Sequence, residues 1–229
     1  MSLNSKHWDI LNKVDIVTIV AASPRAGVDF IQSLFDSHPQ ILTFDGWLLF
    51  HKFYDDCLSL HGTKNLMVGF AGVVNSDKLD VINIKFFFYE FAWSHLHKFD
   101  SRYDNLEKKD QLGSKRDEYN FIDIDQFVSN ATTLMEGKEF SSRNALLATY
   151  GAYALTRGEN LIEKTVLLHQ VHLPEYVLPL AKDFPELKVI ACVKDPRIYA
   201  SVIKVYQEKN PLSKISIGSA SALFKLNMD

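Results

Sequence analysis

Residues 15–38 read DIVTIVAASPRAGVDFIQSLFDSH, and the way this stretch divides decides the fold. The β-branched run from Asp15 to Ala22 predicts a buried strand. It ends at Ser23-Pro24-Arg25-Ala26-Gly27, and an amphipathic segment follows at once. Val28, Ile31, Leu34 and Phe35 recur at helical spacing, and Phe30 widens the apolar face. Strand, tight glycine-containing loop and helix together aim backbone N–H groups at an anion, and the helix dipole adds to the attraction. The stretch reads as the phosphate-binding loop of a nucleotide-using α/β enzyme. The same residues also suit an ordinary strand–turn–helix, with Arg25 solvated and Asp29 complementing the helix start. The loop departs from the ATP cradle G-x-x-x-x-G-K-S/T, because Val28 and Asp29 stand where that pattern has its lysine and its magnesium-holding hydroxyl. The cation here is inside the loop, at Arg25.

A second stretch repeats the design. Residues 188–204, KVIACVKDPRIYASVIK, give a strand at Val189 to Val193, a loop at Lys194-Asp195-Pro196-Arg197 and a helix. Between the two lies His172-Leu173-Pro174, and Lys194 follows His172 by 22 residues. Together these segments resemble the sulfotransferases that use 3′-phosphoadenosine 5′-phosphosulfate. Ser23-Pro24-Arg25-Ala26-Gly27 matches the family's 5′-phosphosulfate loop, and FIQSLFDSHPQI, Phe30 to Ile41, continues as that family does. Lys194-Asp195-Pro196-Arg197 with Ser201 resembles the 3′-phosphate motif, and His172-Leu173-Pro174 resembles the segment whose histidine is the base in cytosolic members. The resemblance covers residues 15–45 and 163–206.

It implies a sulfuryl transfer from that donor, without metal, to a hydroxyl or amine of a small or saccharide acceptor. The donor site would comprise Ser23, Pro24, Arg25, Ala26, Gly27, Val28, Asp29, Lys194 and Ser201. Arg25 would also stabilise charge on the bridging oxygen, and His172 would be the base. His169, three residues earlier, orients or replaces it. Asp45 is the rival base by analogy with sugar and tyrosine sulfotransferases, and it equally suits the N-cap of the next helix. The pattern departs from the family in four places. Val28 and Asp29 replace the two hydroxyl residues after the loop glycine, Lys194 replaces arginine, Ser201 comes about one residue early, and no Arg-Lys-Gly segment follows. A chain lacking a C-terminal segment, or a catalytically silent member acting as a binding domain, fits those departures. A P-loop kinase is disfavoured by Val28 and Asp29.

Composition bounds the rest. The chain has 229 residues, 47% hydrophobic and 23% charged, which suits one domain over 1–229 with a large core. A net charge of −3 gives no global pull toward nucleic acid or anionic membrane. Cys57 and Cys192 make no disulfide framework, and Cys192 falls in a predicted buried strand. The N-terminal MSLNSKHWDILNK has no apolar core of a secretion signal, and no run reaches the ~20 apolar residues of a membrane span. The expectation is a cytoplasmic protein with room for a homo-oligomer. His169 and His172 lack a third ligand at metal-site spacing.

Along the chain, residues 1–14 carry a short helical pattern, Ile41 to Phe44 a short strand, and Asp45 to His61 a helix. Leu79 to Phe99 suits a long helix, or a strand running into one. Residues 100–120 read as a solvated flexible loop, with a lid over the acceptor site as the functional alternative. Ile122 to Met135 and Ser141 to Leu155 read as helices, the second capped by Ser141 and stopped at Gly158. Thr165 to His169 reads as a third strand, Pro174 to Phe184 as a helix. The alternation implies a three-layer α/β fold, with a mostly parallel central sheet, helices on both faces and a P-loop-like strand–loop–helix at the N-terminus. Arg25, His169 or His172, and Lys194 then all fall just past strand ends, in one crevice.

Overall fold

The structure, a computed structural model, describes residues 3–21, 26–35, 38–44, 47–62, 79–96 and 122–195, with 197, 198, 201, 204 and 205. The fold is α/β. Four strands form one sheet, β1 (Asp15–Ala21), β2 (Ile41–Leu42), β3 (Val166–His172) and β4 (Lys188–Cys192), in the order β2-β3-β1-β4. Every pair is parallel. Parallel neighbours cannot be joined by a hairpin, so each strand is reached by a crossover. Seven α-helices occur among the described residues: α1 (Leu3–Leu11), α2 (Val28–Ser33), α3 (Phe50–Gly62), α4 (Leu79–Phe91), α5 (Ile124–Met135), α6 (Ser142–Thr156) and α7 (Val177–Asp183).

Alternation along β1 and β3 builds the layers. Ile16, Val20, Leu167 and Val171 face a large core shared with Leu11, Phe50, Phe88, Phe127, Leu146 and Leu180. Ile19, Ala21 and Leu168 face the other way, onto Val28 of α2 with Ile31 and Phe35 packed against them. β4 is an edge strand, and Val189 and Ile190 on it stay exposed.

Local signals explain the helices. Asp123 caps α5 by accepting from the Gln126 N–H at 2.9 Å, and Ser141 caps α6 by accepting from the Asn144 N–H at 3.2 Å. Gly158, at φ 73°, ends the turn that follows α6. From Ala145 to Ala154 α6 is buried on every side, which its small residues allow. At Gly151 a Cβ would lie 2.7 Å from Leu11 Cδ1 and 2.9 Å from Leu134 Cδ1, so α1, α5 and α6 meet there. The stretch undecided between helix and strand is helix α4, continued by a wide π turn, Ala92–Leu96.

Four boundaries differ from the sequence expectations. β3 runs on to His172 instead of ending at His169, so both histidines belong to the strand and not to a loop beyond it. β2 is two residues long, and α3 starts at Phe50 instead of Asp45. Pro174 opens a short 3₁₀ turn, Pro174–Tyr176, before α7. Ser23, Pro24, Arg25, Asp45, the segment 100–120 and most of the stretch after Lys194 lie outside the described residues.

Gly151→Val should lower unfolding stability by about 2–3 kcal/mol, the scale of an overpacked core. The urea midpoint measures it; an unchanged midpoint would contradict the close approach of α1 and α5 to α6.

Candidate functional site

Because all strands run the same way, their carboxyl ends share one edge of the sheet. Pairing sets their levels. Ala21, the last residue of β1, stands opposite Cys192, the last residue of β4. Val20 stands opposite His172, the last residue of β3. The register slips by one between Ile19 and Val20, where Ile19 faces Gln170 and Val20 faces His172. Val171 is thus an extra residue in β3, a bulge that holds His172 back by one step, opposite Val20 instead of Ala21. The backbone therefore starts the 22–27 loop, the segment after His172 and the Lys194 segment side by side.

Past β1 the chain re-enters the described residues at Ala26 and Gly27. Gly27 has φ 87°, the left-handed region where a side chain is strained, and it leads directly into α2. Val28 then packs into the α2-side core. Asp29 does not hang free: its Oδ1 accepts a 2.8 Å hydrogen bond from Nε2 of Gln170. Gln170 is 1% exposed. Its carbonyl accepts from the Leu48 N–H at 3.0 Å, so one residue joins β3, the first turn of α2 and the lead-in to α3. Gln32, also buried, donates to Thr43 Oγ1 and the Phe44 carbonyl, seating α2 against the chain after β2.

At the β4 end Lys194 and Asp195 are half-buried. Asp195 accepts the Arg197 backbone N–H at 2.8 Å and holds its guanidinium at 2.6 Å and 3.1 Å. These bonds keep the Asp195 carboxyl below the usual carboxylate range. The Ser201 hydroxyl donates to the Arg197 carbonyl at 3.0 Å.

His169 sits on the opposite face of β3 from Gln170. It is wholly buried, with Nδ1 2.8 Å from the Tyr150 hydroxyl and its carbonyl accepting from Thr18 Oγ1 at 2.7 Å. Burial, helped by the nearby His51, pushes its pKa down to about 3. Burial likewise pushes the Tyr150 phenol up. His51 in turn lies 2.9 Å from Asp183 through Nε2. Burial would raise the Asp183 carboxyl, but hydrogen bonds from His51 and Ser142 outweigh it and hold it below its ordinary value.

The structure thus brings Gly27, Val28, Asp29 and the backbones of His172 and Lys194 to one edge, and takes His169 into the core. Gln170, Tyr150, His51 and Asp183 were not singled out from sequence. The signal for Gln170 was a buried strand, LLHQVH, that carries three polar residues at its end. Among the described residues no three His, Cys, Asp or Glu side chains gather as metal ligands, and no helix is long and apolar enough to cross a membrane. The chain matches no family model, no curated protein and no solved structure.

His169 makes folding acid-sensitive in a defined window. The unfolded chain takes up a proton near pH 6.5 that the folded protein refuses until about pH 3. The stability His169 allows is present above pH 6.5 and is lost as pH falls, at about 1.4 kcal/mol per pH unit. His169→Asn, whose amide oxygen can still accept from Tyr150, should lose about 2 kcal/mol less than wild type between pH 7 and pH 5. Denaturant melts at the two pH values measure the difference. Equal losses would show that His169 is not held neutral.

Proposed function

We propose that the protein is a sulfotransferase that moves a sulfuryl group from 3′-phosphoadenosine 5′-phosphosulfate to a hydroxyl or amine of a small or saccharide acceptor. One observation carries the reading: the register of β1 with β4 and β3, Ala21 opposite Cys192 and Val20 opposite His172. It supports a single crevice for the three sequence segments that resemble the family's donor and base motifs. Ligands of open parallel sheets bind beyond the carboxyl ends of the strands, where the strand order reverses. Here the chain leaves β1 toward β3 and β2 and returns to the other side at β4.

In this reading the 22–27 loop with Arg25 holds the 5′-phosphosulfate, and Lys194 with Ser201 holds the 3′-phosphate. The acceptor oxygen or nitrogen forms its bond to sulfur as the bond from sulfur to the bridging phosphate oxygen breaks. The acceptor proton passes to His172, and adenosine 3′,5′-bisphosphate leaves. A loose transition state of this kind depends on positioning and charge neutralisation more than on covalent chemistry. The Asp29 hydrogen bond to Gln170 supports the reading by giving the carboxylate a partner other than phosphate. The same bond also favours a second reading, a sulfotransferase-like binding domain without turnover, since no hydroxyl stands at position 29. A kinase using magnesium-ATP has the least support, because Val28 is buried and Asp29 is engaged.

Thermal unfolding in the presence of adenosine 3′,5′-bisphosphate, ADP or ATP, with and without magnesium, tests the reading. At a hundredfold excess over its Kd the bisphosphate should add about 2.7 kcal/mol. The shift should need no metal and should vanish in Arg25→Ala and Lys194→Ala. A shift with magnesium-ATP alone would overturn the sulfotransferase reading, and bisphosphate binding without transfer to any acceptor would favour the silent domain.

A further inference from the structure

Gln170 is one of the buried polar groups among the described residues. It sits in a central strand of a parallel sheet, 1% exposed, where aliphatic residues are the rule. Its amide orientation is fixed by chemistry. The Asp29 carboxylate only accepts, so Nε2 must be the atom that faces it, at 2.8 Å. Oε1 is then left buried, and no partner among the described residues reaches it. An unpaired buried acceptor is a cost that a hydrophobic residue of the same length would not carry. Packing alone therefore does not account for glutamine here, while the grip on Asp29 does.

Resting on the functional reading above, we propose that Gln170 is a positioning residue for the donor site: it draws the Asp29 carboxylate onto β3, so that the anion-binding loop is not opposed by a free negative charge. Asp29 is exposed, one residue beyond the buried Val28 and two beyond Gly27, and its carboxylate is held by the buried Gln170. Gln170 approaches from beneath, anchored through its own backbone to Ile19 and Leu48. Release of the carboxylate would add a like charge to the site that must receive phosphate, and would loosen the first turn of α2, whose Ile31 N–H bonds to the Gly27 carbonyl at 3.0 Å.

The test uses Gln170→Met, which keeps length and removes both polar atoms, alone and combined with Asp29→Ser. Adenosine 3′,5′-bisphosphate affinity is measured by calorimetry, and amide hydrogen exchange is measured without nucleotide. Gln170→Met should bind about tenfold more weakly, the scale of one charge-assisted hydrogen bond. Adding Asp29→Ser should restore affinity to within about threefold of wild type, which a merely structural role for Gln170 would not produce. In the free protein, exchange at the Ile31 amide should quicken severalfold in Gln170→Met while Leu168 stays protected. An equal loss of affinity with or without Asp29 would overturn the proposal, as would unchanged exchange at Ile31. If the wild type binds no nucleotide, the functional reading fails and this role for Gln170 fails with it, while the exchange result still decides whether the tether exists.

Discussion

The parallel pairing of β1 with β3 on one side and β4 on the other is the constraint on which the rest depends. A strand with parallel neighbours on both edges has every carboxyl end at one edge of the sheet and both faces to bury. The apolar run of β1 meets that demand, with Ile16 and Val20 turned to one core and Ile19 and Ala21 to the other. The helices follow from it. The thin α2 layer covers one face, and the larger assembly around α6 covers the other. Register then does what no single residue does: it sets three otherwise distant segments at one level, separated by about 150 residues of chain in one case and about 170 in the other.

Against that apolar frame, the end of β3 carries three polar residues, His169, Gln170 and His172. Alternation sends the first two to opposite faces, and each finds a different partner. His169 pairs with Tyr150 in the core and stays neutral through burial. Gln170 reaches Asp29 at the head of α2. The bulge at Val171 shifts the register with β1 just before the strand ends. Buried polar groups that are partly satisfied cost stability, and proteins tolerate them where a site must be shaped. The His51–Asp183 pair shows the structural counterpart: a buried imidazole and a carboxylate that tie α3 to α7.

Much of this frame is legible in the sequence because it rests on local chemistry. The β-branched run of β1, the cap at Ser141 and the stop at Gly158 each act within a few residues, and the structure has them where the pattern puts them. What the sequence hides is set by long-range pairing. Nothing local extends β3 from His169 to His172; the neighbouring β1 does, by continuing to pair with it as far as Val20. The grip of Gln170 on Asp29 spans 141 positions, so no spacing rule could reveal it. Asp29 read as a mismatch for a phosphate loop because its partner was invisible. The apolar stretch at Leu79–Phe91 resisted assignment because its apolar residues run together, Phe86, Phe87 and Phe88 in succession, and leave no polar face to mark a helical period.

The central claim is that the carboxyl ends of β1, β3 and β4 form one nucleotide crevice. Backbone amide chemical shifts recorded during titration with adenosine 3′,5′-bisphosphate test it most directly. The account predicts changes that cluster at residues 21–29, 172–173 and 192–195, with α5 and the far end of α6 silent. Changes centred on α4 and α5, with the three strand ends unmoved, would contradict it.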